Sequence, residues 1–307
     1  AYEYGMDIGV DNLPVIPAWT SRYPARGQMK LVSACGDPRV GIELMFSDLN
    51  VYTGVSSPYK NLLVMPHLDH AFPWLDGDIL EEYASRFASV MYDASERSFR
   101  ENIKMTADYV EKMKRKVVVE GAVDEIFESG SEGQKNELTT LEQAVKFHKE
   151  TGVDIIVPNV GTEHRATADK AKYMSERAQE ISRELGRILC LHGTSSVKAE
   201  ELHKLPEDGF VKINIYTKLA VSGGQAVAKN ILSNLGNIFD EKTLMDYVEK
   251  DVLGKAVIME NYGETKMPLK PKLEYVTNPK RRNAWFEAVK ACCKEFFEIF
   301  NYRRFAS

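Results

Sequence analysis

Met65-Pro-His-Leu-Asp-His-Ala71 follows the apolar run Leu62-Leu63-Val64 and precedes a helix that opens near Asp76. It reads as a buried strand ending in two histidines and a carboxylate, and such an end can set a metal ligand beside a proton carrier. With Leu68 in packing, His67 and Asp69 share one face of a regular strand and His70 takes the other. At most two of the three converge unless the backbone bends.

Working downstream, the same unit recurs. The spacing predicts helix over Ile79 to Phe87, strand over Ala88 to Asp93 and helix over Ser98 to Lys116, with Ile103, Thr106, Val110 and Met113 on one face. Strand follows at Val117 to Glu120, then a polar stretch from Glu128 to Asn136 with the composition of a mobile lid. Thr140 and Gln143 form a capping box for a helix from Leu141 to Glu150. Strands at Asp154 to Val160, Arg187 to Leu191 and Phe210 to Ile215 enclose a helix from Thr167 to Leu185, whose stop is Gly186. Upstream, Tyr4 to Val10, Val40 to Phe46 and Asn61 to Met65 read as strands, and Gly27 to Cys35 as helix. Roughly eight strands alternating with helices favour a closed (β/α)8 TIM barrel over an open doubly wound sheet. The expected organisation is a single domain over 1–307, with the barrel roughly 1–235 and a C-terminal helical extension roughly 236–307. The last helix, Arg282 to Phe300, carries an apolar stripe including Trp285, Cys292 and Phe296 that fits docking on the barrel or on a partner subunit.

Composition narrows the function classes. With 44% hydrophobic and 28% charged residues among 307, the chain has a globular composition, and no run approaches the ~18 apolar residues of a membrane span. The first residues, Ala-Tyr-Glu-Tyr-Gly, show neither the basic nor the apolar region of a secretory leader. A net charge of −5 argues against nucleic acid. The four cysteines form no CxxC, and adjacent Cys292 and Cys293 are poorly placed to bridge each other, so a reducing cytoplasm is expected.

Strand ends in a barrel open on one face, where His70, His164 and His192 can meet. Three imidazoles leave a fourth position open on a tetrahedral Zn²⁺, as in catalytic sites. His148 lies on an apolar helix face and His203 in a short charged helix, and both read as ordinary structural residues. Gly193, Thr194, Ser195 and Ser196 offer N–H groups and hydroxyls to a phosphate.

Set beside one another, these motifs resemble the class II, zinc-dependent ketose-bisphosphate aldolase family. His67-Leu-Asp-His70 is similar to the family's HLDH, Ser89-Val-Met-Tyr-Asp-Ala-Ser95 to SVMIDGS, and Phe99-Arg-Glu-Asn-Ile103 to PFEENI. Val119-Glu-Gly121, Gly161-Thr-Glu-His164, Leu191-His-Gly-Thr-Ser195 and Val211-Lys-Ile-Asn-Ile-Tyr-Thr217 follow in the family's order. The resemblance implies one zinc per subunit on His70, His164 and His192, and Asp69 as the catalytic proton carrier. It further implies substrate or phosphate contacts at Gly193, Ser195, Asn214, Thr217 and Arg165, with Asp93 and Glu120 supporting the metal or forming an alternative position for it. Departures fall at Ala122, where the family has a second glutamate, at Arg165 and Ser196, where it has glycines, and at Tyr216 and Lys218.

The expected function is therefore reversible retro-aldol cleavage of a phosphorylated ketose into a dihydroxyacetone-phosphate-type fragment and an aldehyde. The expected enzyme is a cytoplasmic homo-oligomer, dimer or tetramer, with no nucleic-acid or membrane partner. Arg165 and Tyr216 predict that it does not favour the family's common hexose bisphosphate. A metal-dependent barrel hydrolase and a non-catalytic sugar-phosphate-binding protein are the alternatives.

Overall fold

The computed structural model describes residues 1–24, 26–125, 138–162, 172–255 and 271–306. They form two compact units, residues 1–215 with 297–307, and residues 216–296. The first unit carries the strands β1 (Pro14–Val15), β2 (Ala18–Thr20), β3 (Leu63–Val64), β4 (His67–Ala71), β5 (Ser89–Tyr92), β6 (Val118–Ala122), β7 (Ile155–Val157), β8 (Leu189–Leu191) and β9 (Phe210–Ile213). Seven of them build one parallel sheet in the order β2-β4-β5-β6-β7-β8-β9, while β1 pairs with β3 as a separate parallel ladder. Pro17 and Pro66 fall between the two ladders, where neither offers the N–H that a continuous ladder needs.

From β4 onward the strand and helix alternation follows the sequence reading, although the helix expected over Ile79 to Phe87 runs instead over Pro73–Glu82 and is followed by a single turn at Ala84–Arg86. Ser98 caps the helix Phe99–Met113 through a full capping box with Glu101, and Thr140 with Gln143 caps Leu141–Thr151 in the same way. The central strands β5 and β8 are short and buried along their whole length, the mark of a parallel sheet covered by helices. Met91, Ala122, Val157 and Cys190, one from each of four successive strands, make a buried cluster beneath the strand ends.

Upstream of β4 two expectations are corrected, while the helix Gln28–Val32 and the strand β3 fall within the ranges expected for them. Tyr4 to Val10 is not a strand, because Tyr2–Ile8 is helical and ends on Gly9 in the left-handed region. Val40 to Phe46 lies inside the helix Pro38–Thr53, which Asp37 caps by accepting from the Arg39 N–H and Pro38 opens. The residues that this helix buries, Pro38, Gly41, Ile42 and Met45, recur at helical spacing, while Val40 and Leu44 are exposed. The apparent alternation is coincidental. Helix Ser175–Leu185 begins later than expected, residues 172–174 being non-helical, and 163–171 lie outside the described residues. The polar stretch from Glu128 to Asn136 lies outside them too. In the second unit, helices Thr217–Leu232 and Glu241–Glu249 lead toward the long helix Asn278–Ile299, and Leu235 and Leu244 pack with Ile231, Phe239 and Leu253.

One buried amide fixes the end of β6. Asn102 Nδ2 donates to the carbonyls of Ala122 (2.9 Å) and Val123 (3.2 Å), and Asn102 Oδ1 accepts from Thr106 Oγ1 at 3.0 Å. Removing the amide strands acceptors in a buried place, which costs about 1–3 kcal/mol. Asn102→Ala should lose roughly 2 kcal/mol in urea unfolding, and an unchanged midpoint would show that β6 is held by other means.

Candidate active site

Polar side chains gather where β4, β5, β6, β8 and β9 end. The bend that His67, Asp69 and His70 require is present: His70 has φ of +46°, and the β4–β5 register shifts between Leu68 and Ala71. A left-handed residue other than glycine costs about 1–2 kcal/mol, the kind of strain that collects at functional sites. It lets all three face one centre, with Asp69, His70 and His192 offering ligand atoms within 4.8 Å of one another.

Carboxylates orient both imidazoles. His70 Nδ1 lies 2.8 Å from Asp93 Oδ2; burial opposes its charge, but Asp69 with Asp93 outweighs burial and raises His70 above its ordinary value. His192 Nε2 lies 2.9 Å from Glu120 Oε1 and 3.1 Å from Asn214 Nδ2. The other ring nitrogens, His70 Nε2 and His192 Nδ1, face each other at 3.1 Å, a separation that either a shared proton or a shared cation bridges. Two nitrogens sharing one tetrahedral zinc, each at ~2.0–2.1 Å, stand about 3.3 Å apart, so the donor set fits a metal. Each imidazole also has a carboxylate on its far nitrogen, the usual support of a ligating histidine.

Behind this pair sits Lys212, a buried ammonium 2.9 Å from Glu120 Oε2, 2.7 Å from Asn214 Oδ1 and 3.3 Å from His67 Nε2. With its Oδ1 held by Lys212, Asn214 turns Nδ2 toward Asp69 Oδ1 at 3.0 Å. Burial and the Lys212 charge push His67 down to about 3, so it is neutral and its Nδ1 donates to Ser89 Oγ at 2.8 Å. Burial alone would raise Asp69, but His70, His192 and Lys212 outweigh it and hold the carboxyl well below its ordinary range. Burial likewise opposes ionisation of Glu120, and Lys212 with His192 overcomes it. Cys190, 3.6 Å from the ammonium, is pushed the other way by burial and by Glu120, and stays a thiol.

The expected residues are thus partly assembled. Asp69, His70, Asp93, Glu120, His192 and Asn214 meet in one cluster. Gly193, at φ of +72°, starts the turn Thr194–Ser196, which Ser196 closes by donating to the Gly193 carbonyl at 2.7 Å; Ser195 is half-buried in it. Thr217 is the first residue of helix Thr217–Leu232, in the second unit. His164 and Arg165 lie outside the described residues. From the sequence, His67 is placed on its strand without a role and Lys212 is not singled out. Lys212 could have been, because it stands two residues before Asn214, which directly follows β9, and strand alternation puts the two on one side. A cavity of about 260 Å³ adjoins the cluster and is lined by His70, Asp93 and Ala122, with Tyr23 and Phe72 forming an aromatic wall.

The chain matches the sequence model of the family described as fructose-bisphosphate aldolase class-II over residues 46–301, and it belongs to that family. Among curated relatives, a sulfofructosephosphate aldolase from Alkalicoccus urumqiensis is 29% identical over 205 residues, 64% of this chain and 68% of the relative. Two solved aldolases share the fold at 18% identity. The fructose-bisphosphate aldolase of Campylobacter jejuni has a TM-score of 0.68 over 98% of this chain and 85% of its own. The YdjI aldolase of Escherichia coli K12 has a TM-score of 0.62 over 100% of this chain and 88% of its own. The protein is a carbon–carbon lyase of a generally metal-dependent family rather than a hydrolase or a non-catalytic binding protein. Among the described residues no helix is long and apolar enough to cross a membrane.

The left-handed backbone at His70 yields a direct check. Both His70→Gly and His70→Ala remove the imidazole, but only glycine relieves the backbone. The glycine variant should be the more stable by about 1 kcal/mol in chemical unfolding; equal stability would mean that the bend carries no strain.

Proposed function

We propose that this protein is a zinc-dependent aldolase that reversibly cleaves a phosphorylated ketose into a dihydroxyacetone-phosphate-type fragment and an aldehyde. The observation that carries this reading is the convergence of ligand atoms from Asp69, His70 and His192 within 4.8 Å of one another, with a carboxylate on the far nitrogen of each imidazole. His70, His192 and His164 would hold the metal. When bound, zinc supplies Lewis acidity toward the carbonyl and hydroxyl oxygens of the ketose as the carbon–carbon bond breaks.

The chain's own groups do the rest. Asp69 is ionised, and in the cleavage direction it takes the proton from the hydroxyl that becomes the aldehyde oxygen; in condensation it returns that proton. Asn214 holds the carboxylate in place, while Asp93 and Glu120 orient the two imidazoles. Gly193, Ser195 and Thr217, with Arg165, are assigned to the phosphorylated end. A closed (β/α)8 barrel belongs to the same reading, supported by the parallel order of the seven-stranded sheet and by the solved aldolases that share the fold. Exposed Leu31, Val32, Val51 and Val55 support a homo-oligomer, and four free thiols support a cytoplasmic setting.

Exhaustive chelation should abolish cleavage, and stoichiometric zinc should restore it. Asp69→Asn should retain zinc and lose roughly 10²–10⁴ in kcat. Turnover at the wild-type rate in either preparation would refute the assigned roles.

A further inference from the structure

The cavity beside His70 has a wall chemistry unlike that of an anion site. Besides Asp93 it is lined by Ser95, Glu96, Asp124 and Glu125, and no lysine or arginine is among its described lining residues. Asp93 already holds His70 and accepts from Ser95 Oγ at 2.6 Å, and Asp124 accepts from Thr139 Oγ1 at 2.6 Å. Glu96 and Glu125 add two more carboxylates around the same space. The guanidinium of Arg26 lies over the Tyr23 ring, 4.8 Å from its centroid, and does not line the cavity. On the apolar side Tyr23 and Phe72 stack at 5.6 Å with 22° between their planes, and Tyr23 lies 5.0 Å from the His70 ring. Ala122 is the smallest side chain of the wall.

Resting on the aldolase reading, we propose that this cavity seats the aldehyde half of the substrate and selects an uncharged, polyhydroxylated fragment over one that ends in phosphate or sulfonate. Carboxylates accept hydrogen bonds from hydroxyl groups and have none to offer an anion's oxygens. A terminal anion would bring like charge against several carboxylates in a partly desolvated space, which discriminates strongly between partners. The aromatic pair suits the C–H face of a short polyol chain. Burial, then Glu96 and Asp93, raise the Glu125 carboxyl above its ordinary range, so these carboxylates act on one another across the cavity. The sulfofructosephosphate aldolase of the comparison would, on this inference, differ from this protein at that end of the substrate.

The test compares four substrates on the full chain loaded with zinc: fructose 1-phosphate and tagatose 1-phosphate, with neutral ends, against fructose 1,6-bisphosphate and 6-deoxy-6-sulfofructose 1-phosphate. The neutral-ended pair should lead in kcat/KM by about tenfold or more. Glu96→Lys, at an exposed position that does not threaten the fold, combined with Glu125→Gln, should narrow that ratio by about tenfold. A wild-type preference for the bisphosphate or the sulfonate, or a ratio that the double variant leaves unmoved, overturns the proposal. If none of the four is cleaved, the aldolase reading fails on its own. Calorimetric binding of the same four compounds then decides the cavity's preference: tighter neutral ligands uphold the inference, and tighter anionic ones overturn it.

Discussion

Everything polar in this centre is arranged around the buried pair of Lys212 and Glu120. Neither side chain has appreciable solvent contact, and each would be costly to bury alone. Breaking such a pair by removing one partner costs about 3–5 kcal/mol, because the other charge is left stranded. Its value here lies in what it fixes. Glu120 reaches His192 with its other oxygen and so sets the orientation of that imidazole, while Lys212 sets the Asn214 amide that in turn holds Asp69. One ion pair therefore orients an imidazole on one side and a carboxylate on the other.

A second constraint is the backbone itself. A regular strand would send His70 to the face opposite Asp69, and packing alone would not bring it back. The left-handed residue and the register shift in β4 reverse that geometry at a modest energetic cost. Asp93, directly after the neighbouring β5, then captures the turned ring. The strain and the hydrogen bond are two parts of one device, which converts three polar positions of one strand, His67, Asp69 and His70, into one convergent set.

The sequence is legible where local and tertiary preferences agree. From His67 to Ile213 the strands and most helices lie close to where alternation and caps place them, because buried parallel strands and capped amphipathic helices are written in local spacing. The N-terminal third misled for a physical reason. Val40, Ile42, Leu44 and Phe46 alternate like a strand, yet Asp37 and Pro38 write a helix start just ahead of them, and that cap is the better guide. The histidines and Asp69 could be read from strand ends. Lys212 was passed over because a lysine in a strand is ordinarily solvated, and its burial follows only from a partner 92 residues upstream in the chain. The acidic cavity was invisible for the same reason, since its walls come from four separate strand ends and loops.

The account stands on a metal seated between His70 Nε2 and His192 Nδ1. Crystals of the zinc-loaded protein, measured on both sides of the zinc absorption edge, locate the ion directly. A single anomalous peak per chain within bonding distance of those two nitrogens is the expected result. A peak held instead by Glu120 and Cys190, or no peak near either imidazole, would contradict it.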